Sequence, residues 1–208
     1  MKHMNFRTII YGFSIFATTM LSYRICKTGQ LTYIFLTWNL FLAFVPYWIS
    51  CFLKTKEQIR IHYLPLVLIW ILFLPNSPYI LTDLFHLKQR IAIPLWYDLI
   101  LVSSFALIGF ILFYKSVLDM MEQFKNHIPY YYFKYILPFF FWLVAFGLYL
   151  GRYLRFNSWN VINHPFRLVN QSLDSLFEKN TIGFTFIFAA FMWFVYLTLV
   201  NFNSKEKT

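Results

Sequence analysis

The sequence predicts an all-α polytopic membrane protein, a bundle of six transmembrane helices with a short interfacial amphipathic helix between helices 5 and 6. The 208 residues are 60% hydrophobic and 12% charged, and 24% are aromatic. A helix needs roughly 20 apolar residues to cross a hydrocarbon core about 30 Å thick. Six uncharged runs reach that length once snorkelling ends are counted. They are Thr8–Tyr23, Thr28–Leu53, Tyr63–Thr82, Leu99–Tyr114, Tyr135–Gly151 and Asn180–Ser204.

We therefore expect one integral membrane domain over residues 1–208. Its spans are predicted at about 7–23, 31–53, 63–82, 98–118, 135–155 and 181–202. Six helices and their connections use nearly the whole chain, which leaves no room for a separate soluble domain. The first run resembles a signal peptide, but no small-x-small cleavage site follows it, so we interpret it as an uncleaved first helix.

The net charge of +10 suits either nucleic acid or anionic lipid as a partner. The 18 Lys and Arg residues are scattered over six membrane flanks, whereas a nucleic-acid interface needs a contiguous basic face. We therefore expect the lipid bilayer, including anionic lipid, as the partner, and no nucleic acid. A protein partner cannot be read from the sequence.

Six spans place both termini on one side of the membrane. Ten cations fall on that side and eight on the other, which favours a multipass protein of the cell (plasma) membrane with cytoplasmic termini. The ten are Lys2, Arg7, Lys54, Lys56, Arg60, Lys115, Lys125, Lys134, Lys205 and Lys207. The eight are Arg24, Lys27, Lys88, Arg90, Arg152, Arg155, Arg167 and Lys179.

The connection between helices 5 and 6 is the longest. Within it Val169, Leu173, Leu176 and Phe177 recur at i, i+4, i+7 and i+8, which is one face of an amphipathic helix. The Asn163–Pro165 segment has the composition of a helix start. We expect this helix to lie in the headgroup plane.

Helix 3 carries the clearest local irregularity. Pro75 and Pro78 flank Asn76 and Ser77, and each proline removes a backbone donor and clashes with the preceding turn. Irregular backbone at membrane depth survives only against protein or a watery cavity. The break therefore indicates either a site containing Asn76 or a packing kink. Asn39 on helix 2, near the same face, is expected to hydrogen-bond between helices.

Three titratable groups lie at the ends of predicted spans on the same side of the membrane. Asp83 and His86 are three residues apart and would share a helical face, as an acid–base or metal pair or as an interfacial ion pair. Asp98 is predicted to open helix 4, where a carboxylate also complements the helix dipole. No three-ligand metal spacing is present in the sequence, so we expect no metal and no cofactor.

Helix 5 ends with two arginines. Gly147 and Gly151 form a small-xxx-small pair that permits close helix approach. Arg152 and Arg155 follow at i, i+3, and a guanidinium binds a carboxylate or a phosphate bidentately. The two arginines either neutralise Asp83 and Asp98, stapling helices 3, 4 and 5, or hold a ligand.

Four fragments together resemble the signature of an uncharacterised bacterial family of predicted multipass membrane proteins with a domain of unknown function. The resemblance covers roughly Leu31 to Phe166 and implies location and topology, with no activity attached. Where the family pattern ends in Asp this chain has Asn160, which argues against proton transfer at that position. The fragments are Trp38–Leu40, Leu74–Asp83, Trp96–Asp98 and Gly151–Trp159.

Three functional hypotheses follow. In the first, a polar cluster at the predicted outer interface binds an anionic lipid headgroup or a small anion. In the second, Asp83, His86 and Asp98 serve an intramembrane acid–base or metal-dependent enzyme; no catalytic residue is identified, because the sequence has no nucleophile motif. In the third, the chain is an accessory or scaffold subunit. The ligand-binding candidates are Arg152, Arg155, Asn76, Asn157, Asp83, Asp98 and Asn39.

Overall fold

A computed structural model describes residues 5–56, 60–89, 92–125, 128–156, 158, 160–163 and 165–205. Over this part of the chain the protein is all-α, with no strand. Two 3-10 segments, Ile61–Tyr63 and Ile80–His86, form the two ends of the third span. The α-helices are α1 (Phe6–Thr28), α2 (Phe35–Lys54), α3 (Leu64–Phe73), α4 (Asn76–Tyr79), α5 (Leu95–Phe124), α6 (Tyr130–Arg152), α7 (Asn160–Asn163), α8 (Pro165–Leu176) and α9 (Lys179–Lys205).

Six helical segments of the described chain are long and apolar enough to cross a membrane, which confirms the predicted polytopic class. Several helices are longer than their apolar runs. The first ends at Thr28 rather than near Tyr23, because Gly29 is the residue that adopts the left-handed conformation (φ 64°) and donates its N–H to Ile25 O at 2.8 Å. Arg24 and Cys26 fall between the first two predicted spans, 7–23 and 31–53, but lie inside α1 in the structure.

The predicted break in helix 3 is present. The α3 helix stops at Phe73, a turn carries Pro75, and the short α4 leads into the 3-10 segment. Asn76 Nδ2 donates to Phe73 O at 2.9 Å, and Ser77 Oγ donates to Ala43 O on α2 at 3.0 Å. The irregular backbone is thus stabilised by its own polar side chains and by contact with α2.

The chain divides into two compact units, Met1–Asp119 (unit 1) and Met120–Thr208 (unit 2). The expectation of a single domain stays a prediction. The two ends of unit 1 are named here after the charged contacts found at each of them. At the Arg24 end, Arg24 of α1 bonds Asp98 in the first turn of α5. At the Lys54 end, Lys54 bonds Asp119 of α5, and Lys115 Nζ lies 5.9 Å from the ring centroid of Phe6. Successive spans of unit 1 therefore run in alternating directions.

Unit 2 is built on the packing of α6 against α9. Phe141 lies against Tyr196, with ring centroids 5.8 Å apart, and Tyr149 lies the same distance from Phe184. Residue numbers rise along one helix as they fall along the other, so the two helices are antiparallel.

The amphipathic helix is confirmed as α8, which starts at Pro165 and contacts α9. Proline suits a first helical position, since its missing N–H has no partner there in any case. Apolar residues of the predicted face and its flanks are exposed, namely Phe166, Val169, Leu173 and Phe177.

Candidate functional site

A bidentate ion pair joins α1 to α5 at the Arg24 end of unit 1. Arg24 Nε donates to Asp98 Oδ1 at 2.7 Å, and Nη2 donates to Oδ2 at 3.1 Å. Both side chains are 1% exposed. The parallel geometry is the strong form of the arginine–carboxylate interaction. Tyr97, next to Asp98, donates its hydroxyl to Met20 O at 2.8 Å and fixes the same two helices.

This pair revises the prediction for Asp98. The α5 helix begins at Leu95, so Asp98 lies in the first turn and does not open the helix. Both of its carboxylate oxygens accept hydrogen bonds from Arg24, a residue that the sequence reasoning left among the flanking cations. In the sequence Arg24 and Asp98 lie at the ends of spans on the same predicted side, but nothing there selects Arg24 over the other arginines of that side.

Tyr33 lies beneath the guanidinium. The Arg24 Cζ atom is 4.8 Å from the centroid of the Tyr33 ring, and Tyr33 donates its hydroxyl to His86 O at 3.2 Å. Tyr33 is buried and has φ 70°, a conformation that bulky residues rarely adopt and that costs roughly 1–3 kcal/mol. Among the described residues, Arg24 Nη1 is buried with no hydrogen-bond partner. Arg24, Asp98 and Tyr33 therefore form a cluster that contains a strained backbone at Tyr33 and an unpaired donor on Arg24.

Asp83 and Asn39 form a second contact at this end. Asn39 Nδ2 on α2 donates to Asp83 Oδ2 at 2.8 Å, and Asp83 is buried. The interhelical hydrogen bond expected of Asn39 is present, with a carboxylate as acceptor. Tyr33 connects this contact to the Arg24–Asp98 pair, since its acceptor His86 ends the 3-10 segment that carries Asp83.

Asp83 and His86 lie in one 3-10 helix, in which residues i and i+3 share a face, and whether they act as a pair stays a prediction. The segment is a 3-10 helix, and the exposed His86 has its ring edge-on to Phe35, with centroids 5.5 Å apart. In the part of the chain that the structure describes, no group of three or more His, Cys, Asp or Glu is arranged to hold a metal ion. Asn76, the remaining candidate in unit 1, donates to the carbonyl that the break leaves open.

Arg152 and Arg155 belong to unit 2 and do not share a helical face. The α6 helix ends at Arg152, and Arg155 lies beyond it with φ 57°. Phe156 N–H donates to Leu150 O at 3.1 Å and closes this turn. The predicted shared face of Arg152 and Arg155 is therefore wrong, because the helix does not continue past Arg152. Asn157 lies outside the described residues.

A cleft of about 430 Å³ opens in unit 2 between the end of α6 and the start of α9. The side chains that line it combine aromatic rings with a cation and an amide. Sequence reasoning missed this cleft, because its two walls lie 26 or more residues apart in the chain and meet only through helix packing. It is lined by Tyr149, Tyr153, Lys179, Asn180, Gly183 and Phe184.

Comparison with known proteins gives one positive result. Residues 38–195 match a family model described as a protein of unknown function (DUF1361). This range contains Asn39, Asp83, Asp98 and the cleft, and it begins after Arg24. Comparison with curated proteins and with solved structures finds no match. The model covers most of the chain, so this protein belongs to the DUF1361 family, a family of unknown function.

Proposed function

We propose that this multipass membrane protein binds the phosphate of an anionic lipid headgroup, or a small anion of the same chemistry, in the cleft of unit 2. The observation that carries the proposal is the cleft itself, with Lys179 and Asn180 on one wall and Tyr149 and Tyr153 on the other. Asn76, Asp83, Asp98 and Asn39 then belong to the framework of unit 1. We further propose that Arg152 and Arg155, which follow Tyr149 in the sequence, contribute positive charge near the ligand.

The donors in the cleft suit a phosphate. Lys179 supplies a point charge with three donors, Asn180 an amide, and Tyr153 a hydroxyl. Lys179 and Asn180 also form the first turn of α9, a helix of 27 residues, where unpaired backbone N–H groups and the helix dipole favour an anion. Aromatic walls leave room for the apolar part of a lipid next to its charged group.

The charge of this region supports the same ligand. Between residues 150 and 180 the chain has four cations, Arg152, Arg155, Arg167 and Lys179, and two carboxylates, Asp174 and Glu178. Glu178 accepts a long hydrogen bond from the Tyr149 hydroxyl at 3.5 Å. The excess of positive charge attracts anionic headgroups over zwitterionic ones, at about 1 kcal/mol per basic residue near the surface.

The membrane setting forms part of the proposal. We assign the protein to the plasma membrane with its termini in the cytoplasm, which puts the cleft at the extracytoplasmic boundary. The α8 helix, whose apolar residues are exposed, then lies in the headgroup plane and covers the same boundary.

The test uses the purified full-length protein, depleted of lipid and titrated with dioleoyl phosphatidylglycerol, dioleoyl phosphatidylcholine or inorganic phosphate, with native mass spectrometry as the readout. Phosphatidylglycerol is expected to bind in preference to phosphatidylcholine. Binding of inorganic phosphate alone would favour the small anion over the lipid as the ligand. Equal retention of the two lipids, with no phosphate bound, would contradict the proposal.

Two variants localise the binding. Lys179→Gln removes the cation, and Gly183→Leu fills the cleft; nothing lies within 4 Å of a Cβ added at Gly183, so the helix should tolerate the change. Each is expected to weaken binding of phosphatidylglycerol on the order of fivefold or more. Lys134→Gln is the matched control, since Lys134 is exposed at the opposite end of α6, 5.8 Å from the Tyr135 ring centroid. A control variant that loses as much binding would overturn the assignment to the cleft.

A further inference from the structure

Two lysines meet one carboxylate oxygen at the Lys54 end of unit 1. Lys54 Nζ, from the last residue of α2, donates to Asp119 Oδ1 at 2.8 Å. Lys115 Nζ, one turn before Asp119 on α5, donates to the same oxygen. The two ammonium groups are therefore close neighbours, held together by a carboxylate between them.

Burial divides the three side chains into an anchor and an outer pair. The Asp119 side chain is 3% exposed, whereas those of Lys54 and Lys115 are 41% and 32% exposed. One lysine would be enough to neutralise Asp119, so the trio has a net charge of +1.

The location fits a membrane boundary. Lys115 lies about 30 Å along α5 from Leu95, which is the thickness of a hydrocarbon core. Lysines at that depth extend their charged ends to the headgroups. The exposed Arg7 and Arg60 fall in the chain segments that begin α1 and precede α3, and Arg7 follows Phe6, the ring beside Lys115. In the predicted topology the pair therefore lies at the level of the lipid phosphates.

We propose that Lys54 and Lys115 form a binding site for the phosphate of an anionic phospholipid in the leaflet at the end of unit 1 where α1 begins. Asp119 is a positioning residue, because it holds the two ammonium groups at one place and touches no ligand itself. The site is independent of the cleft in unit 2, and neither proposal requires the other.

The experiment titrates the full-length protein with dioctanoyl phosphatidylglycerol, dioctanoyl phosphatidylcholine or inorganic phosphate in the Lys179→Gln background, which removes the cation of the cleft. Binding is followed by native mass spectrometry, and folding by circular dichroism. We expect a Lys54→Gln/Lys115→Gln double change to weaken phosphatidylglycerol binding on the order of tenfold. Lys56→Gln should leave it unchanged, since Lys56 Nζ lies over the Phe52 ring at 4.4 Å.

Asp119→Asn is a second variant, which tests the site even if the double variant fails to fold. It removes the group that positions the two lysines but keeps both of their charges, so phosphatidylglycerol binding should weaken by less than in the double variant. The proposal is overturned if the double variant binds phosphatidylglycerol as the Lys179→Gln protein does, if Lys56→Gln loses as much, or if Asp119→Asn abolishes binding in a folded protein. Inorganic phosphate that binds as tightly as the lipid would overturn the assignment to a phospholipid.

Discussion

Arg24 and Asp98, which are 74 residues apart in the sequence, form an ion pair with two hydrogen bonds, and both side chains are buried. Moving two charges out of water is costly, and the attraction between them offsets that cost. If one partner is removed, the other is left as an unpaired buried charge. The pair links the end of α1 to the start of α5, so it sets how the first and fourth spans meet at the Arg24 end.

Breaking this pair from one side should be strongly destabilising. Arg24→Met or Asp98→Leu alone leaves a buried charge and should lower the free energy of unfolding by about 3–5 kcal/mol. The double variant should recover most of that loss, because two apolar residues leave no unpaired charge. Thermal unfolding in detergent, followed by tryptophan fluorescence, measures both effects. Lys27→Met, an exposed charge removal on the same helix, is the control. Additive losses in the double variant would contradict the coupling.

A glycine on α5 is required where the broken third span touches it. A Cβ added to Gly109 would fall on the carbonyl oxygen of Ser77 and lie 3.1 Å from Ile80 Cδ1. Gly109→Ala should therefore destabilise the protein by about 1–3 kcal/mol, because backbone must move. Gly12→Ala is the matched control, since nothing lies within 4 Å of its Cβ, and it should be neutral or stabilising. Equal melting temperatures for the two variants would show that the helices approach less closely.

The contact between α2 and the 3-10 segment can be tested through its amide. Asn39→Leu removes the donor that Asp83 Oδ2 accepts at 2.8 Å, and the expected loss of stability is about 1–3 kcal/mol. Thr37→Val, an exposed change two residues closer to the start of α2, should have little effect. If Asn39→Leu melts with the wild type, the hydrogen bond contributes nothing net to the fold.

The two cysteines report the orientation in the membrane. Cys26 is exposed at the Arg24 end of α1, whereas Cys51 is half-buried one turn before the end of α2. With cytoplasmic termini, a membrane-impermeant maleimide applied to intact cells should modify Cys26 and leave Cys51 unmodified. Permeabilised cells expressing Cys26→Ser show whether Cys51 reacts at all. Modification of Cys51 in intact cells, with Cys26 protected, would reverse the orientation.

The helices and their irregularities were predictable because their causes are local. Apolar length identified six spans, two prolines located the break in the third, and a repeat of apolar residues located α8. Helix ends were less accurate, as α1 shows. Its apolar run stops at Tyr23, but a polar turn continues the helix until Gly29 can end it.

The pairing of charges was not predictable, because it depends on which helices pack together. Asp98 had several arginines to choose from on one predicted side, and only the packing of α1 on α5 selects Arg24. The left-handed backbone of Tyr33 has no marker in the sequence, since glycine is the residue expected there. The end of α6 at Arg152 was unpredictable for the same reason. Arg155 has a left-handed backbone in the turn that follows, and no glycine marks that position in the sequence.

The most direct test of the proposed function is a cryo-electron microscopy structure of the protein in nanodiscs made from its native membrane. The proposal predicts density for a headgroup in the cleft of unit 2, with its phosphate within hydrogen-bonding distance of Lys179 and Asn180. A well-resolved cleft that contains only water or a neutral acyl chain, with Lys179 turned to a protein carboxylate, would contradict it.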